Sequence, residues 1–197
     1  MYPMKNIDKR VERILFTNKQ IITGIKKAAS WIDKNYKGKK PLLVGILKGV
    51  VPFFGHLVVN IKIDMTIDFM AYSSYHGNVV ATTEPTIVMD LKNDIKGKDV
   101  IIVEDIVDSG RTLSAIVKML KKRNPKSLKV LTLADKKDAR RVKFDPDYTI
   151  FQVPFKYIVG FGFDYDEEMR NLPYIGILKE EIYNKNIHKI KRSKNAK

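Results

Sequence analysis

LLVGIL (42–47) is six apolar residues in a row, closed by Pro41 on one side and Lys48-Gly49 on the other. A run so short and so wholly apolar suits a strand buried on both faces, the habit of parallel sheets covered by helices. VVPFFGHLVVNI (50–61) follows with the character of a crossover helix. VIIV (100–103) repeats the pattern as a central buried strand, and LSAIVKMLKKR (113–123) is an amphipathic helix that stops at Asn124-Pro125. LKVLTLA (128–134), TIFQV (149–153), YIVGFGF (157–163) and YIGIL (174–178) are expected as further strands. In Ile63 to Ala71 the apolar residues alternate with Asp64, Thr66 and Asp68, the mark of a strand with one polar face. Near the N-terminus, Thr17-Asn18-Lys19-Gln20 has capping-box spacing. Ile21, Ile25, Ala28, Ala29, Ile32 and Tyr36 then recur at helical intervals until Gly38. The expected class is α/β: a mostly parallel twisted sheet with flanking helices, and a small hood built from the less regular N- and C-terminal segments.

Composition narrows the setting. With 197 residues, 44% hydrophobic and 30% charged, the chain has the make-up of one ordinary folded domain, expected over residues 1–183 with no internal repeat or linker. The absence of cysteine removes disulfides and thiolate chemistry and suits a reducing, cytoplasmic setting. His56, His76 and His188 have no metal-ligand spacing, so a zinc site is not expected. The opening MYPMKNIDKRVERI lacks a signal peptide's apolar core, and no run approaches the ~20 apolar residues of a membrane span. The net charge of +15 suits nucleic acid, a membrane surface or a highly phosphorylated small molecule. Six lysines and arginines with no acid lie in residues 184–197, expected to be a solvated basic tail.

The chemistry concentrates in VIIVEDIVDSGRTL (100–113). A buried strand delivers Glu104 and Asp105 to the carboxyl edge of the sheet, where open α/β folds bind ligands. Strand alternation sends the two acids to opposite faces, so both serve one ligand only through a local twist. Asp108-Ser109-Gly110-Arg111-Thr112 then opens a helix whose N–H groups, two hydroxyls and glycine form an anion cradle. A sugar phosphate with vicinal hydroxyls satisfies both halves: the cradle takes the phosphate and the acids take the hydroxyls or face magnesium. A Walker A loop and a dinucleotide glycine fingerprint are both absent.

This stretch resembles the phosphoribosyl-pyrophosphate (PRPP) motif of the type I phosphoribosyltransferases. From about Arg10 to Tyr183 the chain is similar to the hypoxanthine-guanine branch, through Leu47-Lys48-Gly49, Ser73-Ser74-Tyr75, Lys136 and PFKYIVGFGFDYDEEMRNL (154–172). The resemblance implies that Glu104 and Asp105 hold the ribose hydroxyls and that Asp108, Ser109, Gly110, Arg111 and Thr112 hold the 5′-phosphate. It implies Asp108 as the base that accepts a purine proton, Lys136 as the donor to O6, Tyr157 as the stacking ring, and Ile158 as the backbone at the base edge. Lys48, Gly49 and Arg170 would meet pyrophosphate, and the Leu47–Lys48 peptide would be cis. Ser74 and Tyr75 would close over the reaction centre, and Glu104, Asp105 and Asp164 would face Mg2+. The implied substrates are PRPP, hypoxanthine and guanine, and the implied assembly is a homo-oligomer, a dimer or tetramer, with no membrane or nucleic-acid partner.

Two other functions compete. The basic charge suits an RNA-binding regulator on the same fold, but such a protein has no need of Asp108, Lys136 and Tyr157 together. A xanthine-preferring enzyme would share Asp108, yet such enzymes usually carry tryptophan in the region of Tyr157.

Overall fold

A computed structural model describes residues 7–73 and 86–184 of the chain. In chain order the elements are β1 (Val11–Phe16), α1 (Asn18–Asn35), β2 (Leu42–Leu47), α2 (Val51–Val58), β3 (Thr66–Ser73), β4 (Thr86–Met89) and β5 (Asp99–Val107). They continue with α3 (Arg111–Lys121), β6 (Ser127–Asp135), β7 (Tyr148–Gln152), β8 (Ile158–Val159) and β9 (Ile175–Leu178). Two compact units result, Ile22–Phe155 and a second made of Met1–Ile21 with Lys156–Lys197.

The larger unit holds a six-stranded sheet in the order β4-β3-β2-β5-β6-β7. All its pairings are parallel except the edge pair β3–β4. Val44, Ile46, Val100 and Ile102 cluster with Leu113, Ile116 and Leu120 of α3. Each of those three helix side chains contributes roughly 1.5–3 kcal/mol by leaving water. The intervening Gly45 points the other way. A Cβ there would lie 2.9 Å from the Phe69 ring and 3.0 Å from Phe54 of α2, so α2 packs on the opposite face. Helices therefore cover both faces, as the apolar runs predict.

α1 begins with the expected reciprocal cap. The Thr17 N–H donates to Gln20 Oε1 at 2.9 Å, and the Gln20 N–H to Thr17 Oγ1 at 3.4 Å. Its stripe of Ile25, Ala28, Ala29 and Ile32 is fully buried.

Several boundaries differ from the sequence expectation. β5 does not stop before the acids but pairs with β6 from Asp99↔Ser127 to Val107↔Asp135, which carries Glu104 and Asp105 inside the strand. The smaller unit is an antiparallel sheet in the order β1-β9-β8. VERILF, irregular by pattern, becomes β1 because β9 supplies its hydrogen-bond partners. YIVGFGF is a strand only at Ile158–Val159. The chain then turns through positive φ at Gly160 (92°), Phe161 (51°) and Gly162 (106°). A side chain at Gly160 would collide with the Tyr174 carbonyl, so glycine is required there. No helix among the described residues is long and apolar enough to cross a membrane.

Candidate active site

At the carboxyl end of β5 a cavity of about 200 Å³ opens in the larger unit. It is walled by Ile46, Ile106, Leu113 and Ile116, and its polar lining is Glu104 with Asp108, Ser109, Gly110 and Thr112. Glu104 Oε2 is buried with no hydrogen-bond partner among the described residues. Burial, and then the adjacent Asp105 carboxylate, push the Glu104 carboxyl well above its usual range. Asp105 itself does not line the cavity, and its Oδ1 accepts the Ile106 N–H at 2.7 Å. A buried, unsatisfied carboxyl oxygen calls for a donor or a cation, because leaving it unpaired costs about 1–3 kcal/mol or more.

Gly110 takes φ 76° as the N-cap of α3, a left-handed conformation that helps turn strand into helix within three residues. Among the described residues the N–H groups of Ser109, Gly110 and Thr112 have no protein acceptor. Arg111 is exposed on the first turn of the helix.

Lys136, placed directly after β6, is buried rather than solvated. Its Nζ donates to Asp108 Oδ2 at 3.1 Å, so two of the expected site residues, 28 positions apart, meet at the cavity rim. The neighbouring Asp135 and Arg140, which no motif singles out, form an ion pair with 1% and 14% of their side chains exposed. The one hint in the sequence is an acid closing the otherwise apolar end of β6. The Leu47–Lys48 peptide is cis, with Lys48 exposed and Gly49 buried.

Tyr157, Ile158, Asp164 and Arg170 belong to the smaller unit. Tyr157 is 40% exposed, its ring edge-on to Tyr165 at 5.5 Å and stacked on Tyr183 at 5.7 Å. Burial first, and then the Asp164 carboxylate, raise its hydroxyl above the usual tyrosine range. Ile158 is buried in β8 and pairs with Ile177. Arg170 bridges Asp164 at 2.9 Å and Glu167 at 3.3 Å, and it donates to the Gly162 carbonyl at 2.9 Å, bracing the turn after β8. Ser74 and Tyr75 lie outside the described residues.

Residues 13–166 match the phosphoribosyl transferase domain family. The chain belongs to that family. This phosphoribosyltransferase is 48% identical over 179 residues to the hypoxanthine-guanine phosphoribosyltransferase of Streptococcus thermophilus, covering 91% of this chain and 99% of that one. It is 44% identical over 181 residues to the enzyme of the same name from Lactococcus lactis, covering 92% and 98%. Among solved structures it matches a hypoxanthine phosphoribosyltransferase from Staphylococcus aureus with a TM-score of 0.84 and 41% identity, over 88% of this chain and 95% of that one. It also matches the Trypanosoma cruzi hypoxanthine phosphoribosyltransferase, studied for the role of its C-terminal region in oligomeric state and activity, with a TM-score of 0.87 and 33% identity, over 93% and 99%. The matched family region draws on both units.

Among the described residues no three His, Cys, Asp or Glu side chains cluster as a metal cage. The orphaned Glu104 oxygen beside a cavity fits instead a magnesium ion bound mainly by substrate oxygens and water, with one or two carboxylates in support.

Proposed function

We propose that this phosphoribosyltransferase salvages purines, moving the 5-phosphoribosyl group of PRPP to N9 of hypoxanthine or guanine and yielding IMP or GMP with pyrophosphate. The observation that carries this reading is the Lys136–Asp108 pair at 3.1 Å on the cavity rim. It presents a donor and an acceptor side by side, the complement of the O6 acceptor and N7 proton along one edge of a 6-oxopurine.

The residue roles derive from this edge. N9 attacks the anomeric carbon, the bond to pyrophosphate breaks with its electron pair, and the N7 proton passes to the Asp108 carboxylate. The Ser109, Gly110 and Thr112 N–H groups hold the 5′-phosphate, with the two hydroxyls beside them and Arg111 adding positive charge. Glu104 and Asp105 accept the ribose hydroxyls, which together with the phosphate grip fixes both ends of the sugar. Tyr157 offers its ring to the purine and the backbone at Ile158 its polar groups to the base edge. Lys48, Gly49 and Arg170 meet the departing pyrophosphate, and Ser74 and Tyr75 close over it to exclude water. Magnesium, held with the help of Glu104, Asp105 and Asp164, supplies positive charge against the leaving group. We place the enzyme in the cytoplasm as a homo-oligomer, with residues 184–197 as a basic appendage outside catalysis.

An assay with purified protein, magnesium and PRPP, offered hypoxanthine, guanine, xanthine and adenine in turn, tests this. Hypoxanthine and guanine should react. Adenine presents a 6-amino donor to the Lys136 ammonium, and unmatched buried donors discriminate by on the order of 10⁴. Comparable turnover of adenine would overturn the pocket assignment. Tight binding of a specific RNA without base turnover would favour a regulator.

A further inference from the structure

An anion cradle of backbone N–H groups works only if the peptide planes are held with their carbonyls turned away from the anion. In a trans peptide the C=O and the following N–H point in opposite directions, so fixing one aims the other. Two successive carbonyls of the phosphate turn are fixed in this way. The Asp108 carbonyl accepts Arg140 Nη1 at 2.6 Å, and the Ser109 carbonyl accepts the Arg141 N–H at 2.9 Å. The N–H groups those planes carry, Ser109 and Gly110, both lack a protein acceptor among the described residues.

Arg140 is itself anchored. Its Nη2 bonds the carboxylate of Asp135, which is 1% exposed and also accepts Gln152 Nε2 at 3.3 Å. A 3-10 turn at Lys137–Ala139 sets the arginine in place, with the Arg140 N–H returning to the Lys137 carbonyl at 3.0 Å. The segment packs so closely on the turn that a Cβ on Gly110 would lie 2.9 Å from Arg140 Cδ and 3.3 Å from Val142 and Phe144.

We propose that Arg140 is a positioning residue for the phosphate turn: seated on buried Asp135, it locks the Asp108–Ser109 peptide so that its N–H faces the 5′-phosphate. The planar guanidinium does this because it serves two acceptors at once, which a lysine ammonium on a flexible stem does poorly. The same contact sets the backbone of Asp108, and so the footing of the carboxylate that meets Lys136. Preorganisation of this kind raises affinity by removing the ordering cost at binding. The inference rests on residues 108–112 being the phosphate cradle.

The test compares the Kd of IMP with that of inosine, which lacks the phosphate, in wild type, Arg140→Gln, Arg140→Lys and Asp135→Asn. Wild type should bind IMP far more tightly than inosine. If it does not, the cradle reading itself fails, whatever Arg140 does. Given that preference, Arg140→Gln and Asp135→Asn should each weaken IMP by about tenfold or more while inosine changes by about twofold or less, one unit of affinity arithmetic against none. The KM for PRPP should rise in step, with that for hypoxanthine nearly unchanged. Combining the two substitutions should add little to the worse single, because they break one chain of contacts. Lys143→Gln, an exposed charge on the same segment, should leave the IMP-to-inosine ratio at the wild-type value. Should Arg140→Gln fail to give a cooperative melt, Arg140→Lys, which keeps a charge on Asp135, carries the test by restoring the melting temperature without the ratio. A wild-type ratio in any folded Arg140 or Asp135 variant overturns the proposal.

Discussion

In the function proposed above, the single ion pair of Lys136 and Asp108 would set the substrate preference. The lysine is buried, while 54% of the Asp108 side chain is exposed, so the pair is accessible from the aspartate side. Asp108→Asn keeps the size and the backbone contacts but removes the proton acceptor. Turnover should fall by roughly 10²-fold or more, the usual scale for losing a general base, with PRPP binding nearly intact. Unchanged turnover in the asparagine variant would mean that another group takes the proton. Lys136→Ala should act on a different quantity, raising the KM for hypoxanthine far more than that for PRPP. It also strips Asp108 of its partner, so a parallel rise in both constants would point to general damage of the turn rather than loss of the O6 donor.

At the scale of elements, the last described residues of the chain pack on Tyr157, the ring proposed to meet the purine. Residues 180–184 are helical, and Tyr183 stacks on Tyr157 with an angle of 27° between rings at 5.7 Å. The Ile182 carbonyl accepts the Tyr165 hydroxyl at 3.3 Å. Aromatic pairs of this kind are worth about 0.5–1.5 kcal/mol beyond the area they bury. None of the proposed site residues lies in 185–197, so removing that stretch should leave kcat and both KM values within about twofold, well inside one kcal/mol. Tyr183→Ala, by loosening the Tyr157 ring, should raise the KM for the purine several-fold with little change for PRPP. Equal activity of wild type and Tyr183→Ala would show that the Tyr157 ring keeps its place without this neighbour.

At the scale of the whole molecule, the cavity comes at a cost in stability, and Glu104 is where that cost is measurable. Its folded pKa lies well above the ordinary value of 4.5, because burial and then Asp105 disfavour the carboxylate. A carboxyl with a raised folded pKa contributes stability below its unfolded pKa and loses it as pH rises through the folded one. The ligand-free protein should thus be penalised at neutral and alkaline pH. Glu104→Gln should raise the melting temperature at pH 8 and do so much less near pH 4.5, while abolishing most activity. Melting temperatures that shift by the same amount at both pH values would show that ionisation of Glu104 is not the source of the penalty.

The sequence by itself determined the elements whose signals are local. LLVGIL became β2 residue for residue, the capping box at Thr17 and Gln20 formed, and the glycine turn at 108–110 stands between β5 and α3. These patterns depend on neighbours within one turn or one strand, where periods of 2 and 3.6 residues decide which side chains share a face. Tertiary structure alone decided the rest. VERILF is a strand because β9 lies beside it, and β5 runs past Glu104 because β6 pairs along its full length. The register Val107↔Asp135 then aligns the residues just beyond the ends of the two strands. It places Lys136 against Asp108 across 28 residues and Arg140 on the Asp108 carbonyl across 32. No period in the sequence spans such distances. The hydrogen-bond ladder between two parallel strands sets them, and it exists only once the sheet has formed.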